Sequence, residues 1–183
     1  MTDSPVRRCK PFLRDYPDRG MALVETIQAE QACLREALAS ADLAAERQAH
    51  GALGEAFRAL GQHDRALPHL ARALELARAE GSPRGLLQAV LRMAIGLQYA
   101  HRHEAAEPLF EEALAMARQQ GFLLDHVLMA AGKCHAERRR WEVAVAAFEE
   151  ALAIRRGRST PDAQGAAEEA LEAARQALGR GGN

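Results

Sequence analysis

His50–Leu74 reads HGALGEAFRALGQHDRALPHLARAL, and the stretch recurs. Its closing dipeptide, Ala73-Leu74, returns as Ala113-Leu114 and again as Ala151-Leu152, at intervals of 40 and 38 residues. Other markers keep the same register. Leu53-Gly54-x-x-Phe57 becomes Met93-Ala94-x-x-Leu97 and then Ala131-Gly132-x-x-His135. Ala66-x-x-x-Leu70 becomes Ala106-x-x-x-Phe110 and then Ala144-x-x-x-Phe148. Pro68 maps onto Pro108, and Ser82-Pro83 onto Thr160-Pro161. Self-similarity at this period marks a stacked array of supersecondary units, which work by presenting a surface.

These residues resemble the tetratricopeptide repeats. That family's pattern runs Trp-x2-Leu-Gly-x2-Tyr, then Ala-x3-Phe, within a helix–turn–helix unit. The first half reads here His50-x2-Leu53-Gly54-x2-Phe57, then Val90-x2-Met93-Ala94-x2-Leu97, then Leu128-x2-Ala131-Gly132-x2-His135. The resemblance spans residues 44–158. It departs from the family in unit length, which exceeds 34 residues, and in His135, where an aromatic or Leu is usual. It implies an all-α, right-handed α-solenoid of stacked helix–turn–helix repeats: three full repeats, an N-terminal helix and a C-terminal capping helix.

The physical logic follows from packing. Gly54, Ala94 and Gly132 share one position, where a small residue lets two helix axes approach. Gly inside a helix costs about 1 kcal/mol against Ala, so packing must offset it. Ala66, Ala106 and Ala144 are the counterparts on the second helix, and Leu70, Phe110 and Phe148 fill the space between. Apolar residues make up 48% of the chain but aromatics only 4%, a core of Ala and Leu that suits close-packed helices rather than strands.

The expected organisation is a flexible arm over 1–19 and a single domain over 20–179, followed by a tail over 180–183. Within the domain the repeats cover 43–81, 83–121 and 122–158, and the capping helix 161–179. A first helix from Met21 to Ala41 carries Leu23, Ile27, Leu34 and Leu38 on one face. Asp42 caps the next helix, to Leu60, and Asp64 is the expected cap of the helix after it. Pro68 must sit at the edge of the four unpartnered N–H groups or bend its helix. Gly81 ends that helix, and Ser82-Pro83 starts the next. The second repeat runs from Pro83 to Ala100 and from His103 to Gln120; the third from Phe122 to Glu137 and from Trp141 to Arg155. A last helix over Ala163–Leu178 has a narrow Ala and Leu stripe.

A chain of 183 residues with net charge −1 has no global field for nucleic acid or an anionic membrane. Nucleic acid is therefore not an expected partner, nor is a membrane, since no apolar run is long enough to span one. Cys9, Cys33 and Cys134 form no CxxC pair, and the N-terminus lacks a signal-peptide apolar region, so a reducing, cytoplasmic setting is expected.

The seven histidines do not build a metal site in sequence. His63 and His103 share one hairpin slot that Trp141 takes in the third repeat. His101 and His103 lie in a turn without a nearby Cys. Cys134 and His135 are adjacent on a helix, about 100° apart, which does not suit a nucleophile–base pair. Arg138-Arg139-Arg140 and Arg155-Arg156 lie near helix ends, where cations complement the dipole. Neither catalytic residues, a metal nor a cofactor is expected.

The resemblance implies a site in the concave groove lined by the first helix of each repeat. Carried across by register, the groove positions are Gln48, Gly51, Glu55 and Arg58, then Gln88, Leu91, Ile95 and Gln98, then His126, Met129, Lys133 and Ala136. The Lys/Asn/Arg clamp of chaperone-tail-binding members is absent, and Lys133 stands alone. The expected groove centre is apolar, with Leu91, Ile95 and Met129 between amide edges, and suits an amphipathic helix or extended peptide. Those side chains packing on one another, or beneath the C-terminal helix, is the competing expectation. The implied function is that of a non-enzymatic protein- or peptide-binding scaffold or adaptor, with self-association also open. The alternative is a peptide-sensing module of a bacterial signalling or transcriptional regulator.

Overall fold

The computed structural model describes residues 6–9, 12, 14–17, 20–156 and 160–181. The described elements are β1 (Val6–Cys9), β2 (Arg14–Pro17), α1 (Gly20–Ser40), α2 (Leu43–Ala59), α3 (His63–Glu80), α4 (Pro83–Tyr99), α5 (His103–Gln120), α6 (Leu124–Glu137), α7 (Trp141–Arg155) and α8 (Pro161–Gly181). The helices follow the anticipated repeat plan closely, as an all-α fold of consecutive helical hairpins. Two compact units divide the chain, the first running to Leu109 and the second beginning at Phe110; Phe12 belongs with the second.

The same turn closes several hairpins. After α2, Gln62 N–H bonds the Phe57 carbonyl at 2.8 Å and Gly61 N–H the Arg58 carbonyl at 2.9 Å. After α4, Arg102 repeats the first bond to Leu97 and His101 the second to Gln98. After α6, Arg140 bonds His135 and Arg139 bonds Ala136. Each places a left-handed residue just past the helix, which satisfies carbonyls the helix end leaves over. That residue is Gly61 (φ 73°), His101 (φ 60°) and Arg139 (φ 59°) in turn.

In the first unit α1 packs on α2, α2 on α3 and α3 on α4. Ile27, Leu53, Ala56, Phe57 and Ala66 form a buried cluster, flanked by Leu23, Leu34 and Leu60. A Cβ on Gly54 would stand 2.5 Å from Leu70 Cγ, so the glycine is what lets α3 approach α2. In the second unit α6 packs on α7 and α7 on α8. Leu128, Phe148, Leu152, Ala167, Ala170, Leu171 and Ala174 share its core. Gly132 is the counterpart of Gly54: a Cβ there would lie 2.5 Å from Phe148 Cε1. Arg155 ties the start of α8 to this core. Its Nε donates to Asp125 Oδ2 at 2.9 Å and its Nη1 to the Ala163 carbonyl at 2.9 Å.

Caps behave as expected at two starts. Ala45 N–H donates to Asp42 Oδ1 at 3.0 Å, and Gly85 N–H to Ser82 Oγ at 3.3 Å, with Pro83 opening α4. Gly81 (φ 71°) ends α3 as anticipated.

Four local expectations are corrected. Asp64 is not the cap of α3: the helix begins at His63 after Gln62, and Asp64 sits in the first turn, where its charge favours the helix N-terminus. Pro68 lies inside α3 rather than at its edge, and Pro108 likewise inside α5; both are exposed, so water can reach the carbonyls they leave without donors. The third repeat starts at Leu124, not Phe122, because Leu123 adopts φ 57°. Part of the segment expected to be a flexible arm is paired: Val6↔Pro17, Arg7↔Tyr16, Arg8↔Asp15 and Cys9↔Arg14 make an antiparallel hairpin, and β2 lies against α2. Four-residue runs are too short to show period-two alternation in sequence. The chain break expected at Gly157 and Ser159 falls outside the described residues.

Candidate functional site

One face of α2 and the matching face of α4 meet in the first unit. Successive positions three or four apart project from one side of a helix. On α2 these are Gln48, Ala52 and Glu55; on α4, forty residues on, Gln88, Arg92 and Ile95. Between them lies a cleft of about 350 Å³ lined by Glu30, Arg47, Gln48, Ala52, Gln88 and Arg92.

Its charged lining is Glu30 and two arginines, and each arginine is held by a further carboxylate. Arg92 Nη2 lies 3.0 Å from Glu55 Oε2, with both side chains partly exposed. Arg47 Nε donates to Glu80 Oε2 at 2.6 Å. A glycine makes room for Arg92: a Cβ on Gly51 would lie 2.6 Å from Arg92 Nη1. Further along the face, the Arg58 guanidinium sits 4.5 Å from the centroid of the Tyr99 ring, a cation–π contact. The arrangement offers fixed guanidinium donors and side-chain amides, a surface suited to carboxylate and backbone-amide groups.

The sequence-derived positions divide. Gln48 and Gln88 line the cleft. Glu55 reaches it through its ion pair with Arg92, Arg58 lies over Tyr99 and does not line it, and Ile95 is half-buried. Gly51, Leu91 and Gln98 are buried, with Leu91 at 8% and Gln98 at 1% exposure. In the second unit Met129 (7% exposed) and Ala136 are buried, Lys133 is half-buried, and His126 is exposed beside Asp125 at 3.7 Å. Leu91 and Met129 are thus each buried within their own unit. The outward position is the next residue of each repeat: Ala52, Arg92 and Ala130 are all half-buried, while Gly51, Leu91 and Met129 are all buried. A one-residue step turns a helical side chain by about 100°, which is the whole difference between core and face. Arg92 was missed for this reason. A signal existed, since Arg92 replaces the Ala52 of the preceding repeat.

A second polar pairing crosses α2 and α3. His50 Nδ1 and His69 Nδ1 are 2.8 Å apart, and the His69 ring stacks on Phe57 at 5.6 Å. Burial holds both imidazoles below their usual pKa; for His69 the His50 ring and then Arg65 add to this, and for His50 Glu46 opposes it while Arg72 adds to it. One turn away, Glu46, almost fully buried, accepts from Arg72 Nε at 2.9 Å. Among the described residues, no three His, Cys, Asp or Glu side chains come together as a metal-binding group, and no helix is long and apolar enough to cross a membrane.

Comparison with known proteins places these features. The tetratricopeptide repeat family matches residues 45–119 and 86–157. Among solved structures, the chain is similar to a Podosopora anserina protein described as a kinesin light chain with nearly identical TPR-like repeats. The two share 14% sequence identity and a TM-score of 0.61, over 89% of this chain and 90% of that one. No curated protein matches the sequence.

Proposed function

Because the chain belongs to the tetratricopeptide repeat family, whose repeats generally mediate protein–protein interaction, we propose that it is a non-enzymatic scaffold or adaptor whose α2–α4 face binds an extended peptide. The observation that carries this reading is the pair of carboxylate-held arginines, Arg47 and Arg92, lining one cleft with Gln48 and Gln88. Glutamine side chains can pair with a peptide backbone as both donor and acceptor, and guanidinium groups with acidic side chains. The partner this chemistry fits is a peptide with an acidic residue, in a site that fixes register through polar contacts.

The test is peptide display against the full chain, followed by calorimetric titration of the selected peptides. Arg92→Ala should weaken them by about tenfold, the scale of one charge-assisted contact, while far-UV circular dichroism stays unchanged. Equal affinity for the wild type and for Arg92→Ala combined with Arg47→Ala would reject this face.

A further inference from the structure

Glu30 breaks the repeat register. Leu34-x2-Ala37-Leu38 of α1 matches Leu70-x2-Ala73-Leu74 of α3, which sets Glu30 against Ala66. Ala66, Ala106 and Ala144 hold that position in the full repeats, and all three are buried at 1% exposure or less. In α1 the same position carries a carboxylate side chain, half-buried, in the lining of the α2–α4 cleft. Among the described residues, no hydrogen bond or ion pair reaches it. The other charges lining the cleft are matched within the chain, Arg92 by Glu55 and Arg47 by Glu80. The charge left over is therefore negative and belongs to Glu30. The charges are also segregated. α2 packs on α1 and on α4, so it forms the floor of the cleft, with Glu30 on the α1 wall and Gln88 and Arg92 on the α4 wall. A half-buried carboxylate without a counter-charge is costly; a cation brought to it offsets that cost, and a second anion is repelled.

We propose that Glu30 is a specificity-determining residue of this cleft: it pairs with a Lys or Arg side chain of the bound peptide, beside the acidic residue that meets the arginines. This rests on the peptide-binding reading above and adds a second charge to the peptide selected. The occupant is then an extended peptide of mixed charge, and a run of acidic residues is rejected at the α1 wall. Each guanidinium group has five donors, more than its one carboxylate partner takes up. Arg47 and Arg92 can therefore hold the acidic residue while Glu30 holds the basic one.

The probe is a displayed library of random dodecapeptides, selected in parallel on the full chain and on its Glu30→Gln and Glu30→Lys variants. The wild type should enrich Lys or Arg at a fixed spacing from Asp or Glu. Glu30→Gln keeps the shape, removes the charge and should lose that enrichment. Glu30→Lys should replace the basic residue of the motif with an acidic one. In calorimetric titration, a synthetic peptide of the wild-type motif should bind Glu30→Gln about threefold and Glu30→Lys about tenfold more weakly than the wild type. Exchanging its basic residue for Glu should reverse that order. If Glu30→Lys loses helicity, Glu30→Gln and the exchanged peptide carry the test. The same motif from all baits, or an affinity indifferent to Glu30, overturns the proposal. Peptides that depend on Arg92 and carry no basic residue sink the Glu30 pairing alone and leave the α2–α4 face standing. A library that yields nothing sinks both. A motif that changes with Glu30 but ignores Arg92 and Arg47 supports the Glu30 contact and rejects the arginine one.

Discussion

Arg92 lies across the backbone of α2 at Gly51, close enough that a Cβ on Gly51 would come within 2.6 Å of its Nη1. The atom that must move is the far end of a flexible side chain, so relief is cheap. Gly51→Ala also removes a helix-interior glycine, a gain of about 1 kcal/mol. Stability should therefore rise while the Arg92–Glu55 ion pair is displaced and affinity for the selected peptides falls. Thermal unfolding and titration of the same variant check both halves; a fall in stability would show that Arg92 holds more of the fold than its exposure implies.

Gly54 and Gly132 should answer in the opposite sense. There the added Cβ meets Leu70 and the Phe148 ring inside closed cores, at 2.5 Å in each case. Overpacking of this kind costs about 1–3 kcal/mol and outweighs the helix-propensity gain. Gly54→Ala and Gly132→Ala should each lower the urea midpoint, and a neutral result at either site would mean the helices can spread.

The repeat register carried these packing positions because it marks volume: a small residue (Gly54, Ala94, Gly132) recurs in register with a Leu or Phe (Leu70, Phe110, Phe148). Helix spans were equally legible, since Gly81 and Ser82-Pro83 are strong punctuation. The binding face was less so. Gly51 and Ala52 are both small, and nothing local tells which one is covered; at Gly51 it is the Arg92 side chain, from α4, that lies over the position. The His50–His69 contact joins residues 19 apart on two different helices, so no spacing encodes it; the β1–β2 hairpin is local, but its four-residue strands carry little pattern.

Arg139 takes the left-handed turn position that Gly61 fills in the first repeat, with φ 59°. A side chain in this conformation is strained by about 1–2 kcal/mol, part of which glycine loses again to chain entropy in the unfolded state. Arg139→Gly should therefore raise stability by about 0.5–1 kcal/mol. Chemical denaturation measures it; a loss would mean the Arg139 side chain makes contacts that matter more than its backbone.

Asp125 is the carboxylate partner of Arg155, whose side chain is 7% exposed. Removing one member of a buried pair strands the other, at a cost of about 3 kcal/mol or more. Asp125→Ala should destabilise to that extent and loosen α8, because Arg155 also holds the Ala163 carbonyl. Asp125→Leu with Arg155→Met should recover much of the loss. Hydrogen exchange across α8 would locate the effect; exchange there unchanged by Asp125→Ala would break the link.

The His50–His69 contact makes stability depend on pH. Both imidazoles titrate below the ordinary value of 6.5 in the folded chain, chiefly through burial. As pH falls past about 6.5, the unfolded chain takes up protons that the folded chain refuses. Unfolding is then favoured, so stability is full above that pH and declines below it, until the folded-state pKa values are reached. Protonating both rings would also set two cations 2.8 Å apart, with Arg72 beside His50 and Arg65 beside His69 adding positive charge and Glu46 opposing it at His50. Replacing both with Gln (His50→Gln, His69→Gln) should remove part of the acid-side decline in unfolding free energy, measured by urea titration from about pH 8 to about pH 5. The other histidines stay in both proteins, so the difference between the two curves isolates this pair. Superimposable curves would assign the decline elsewhere.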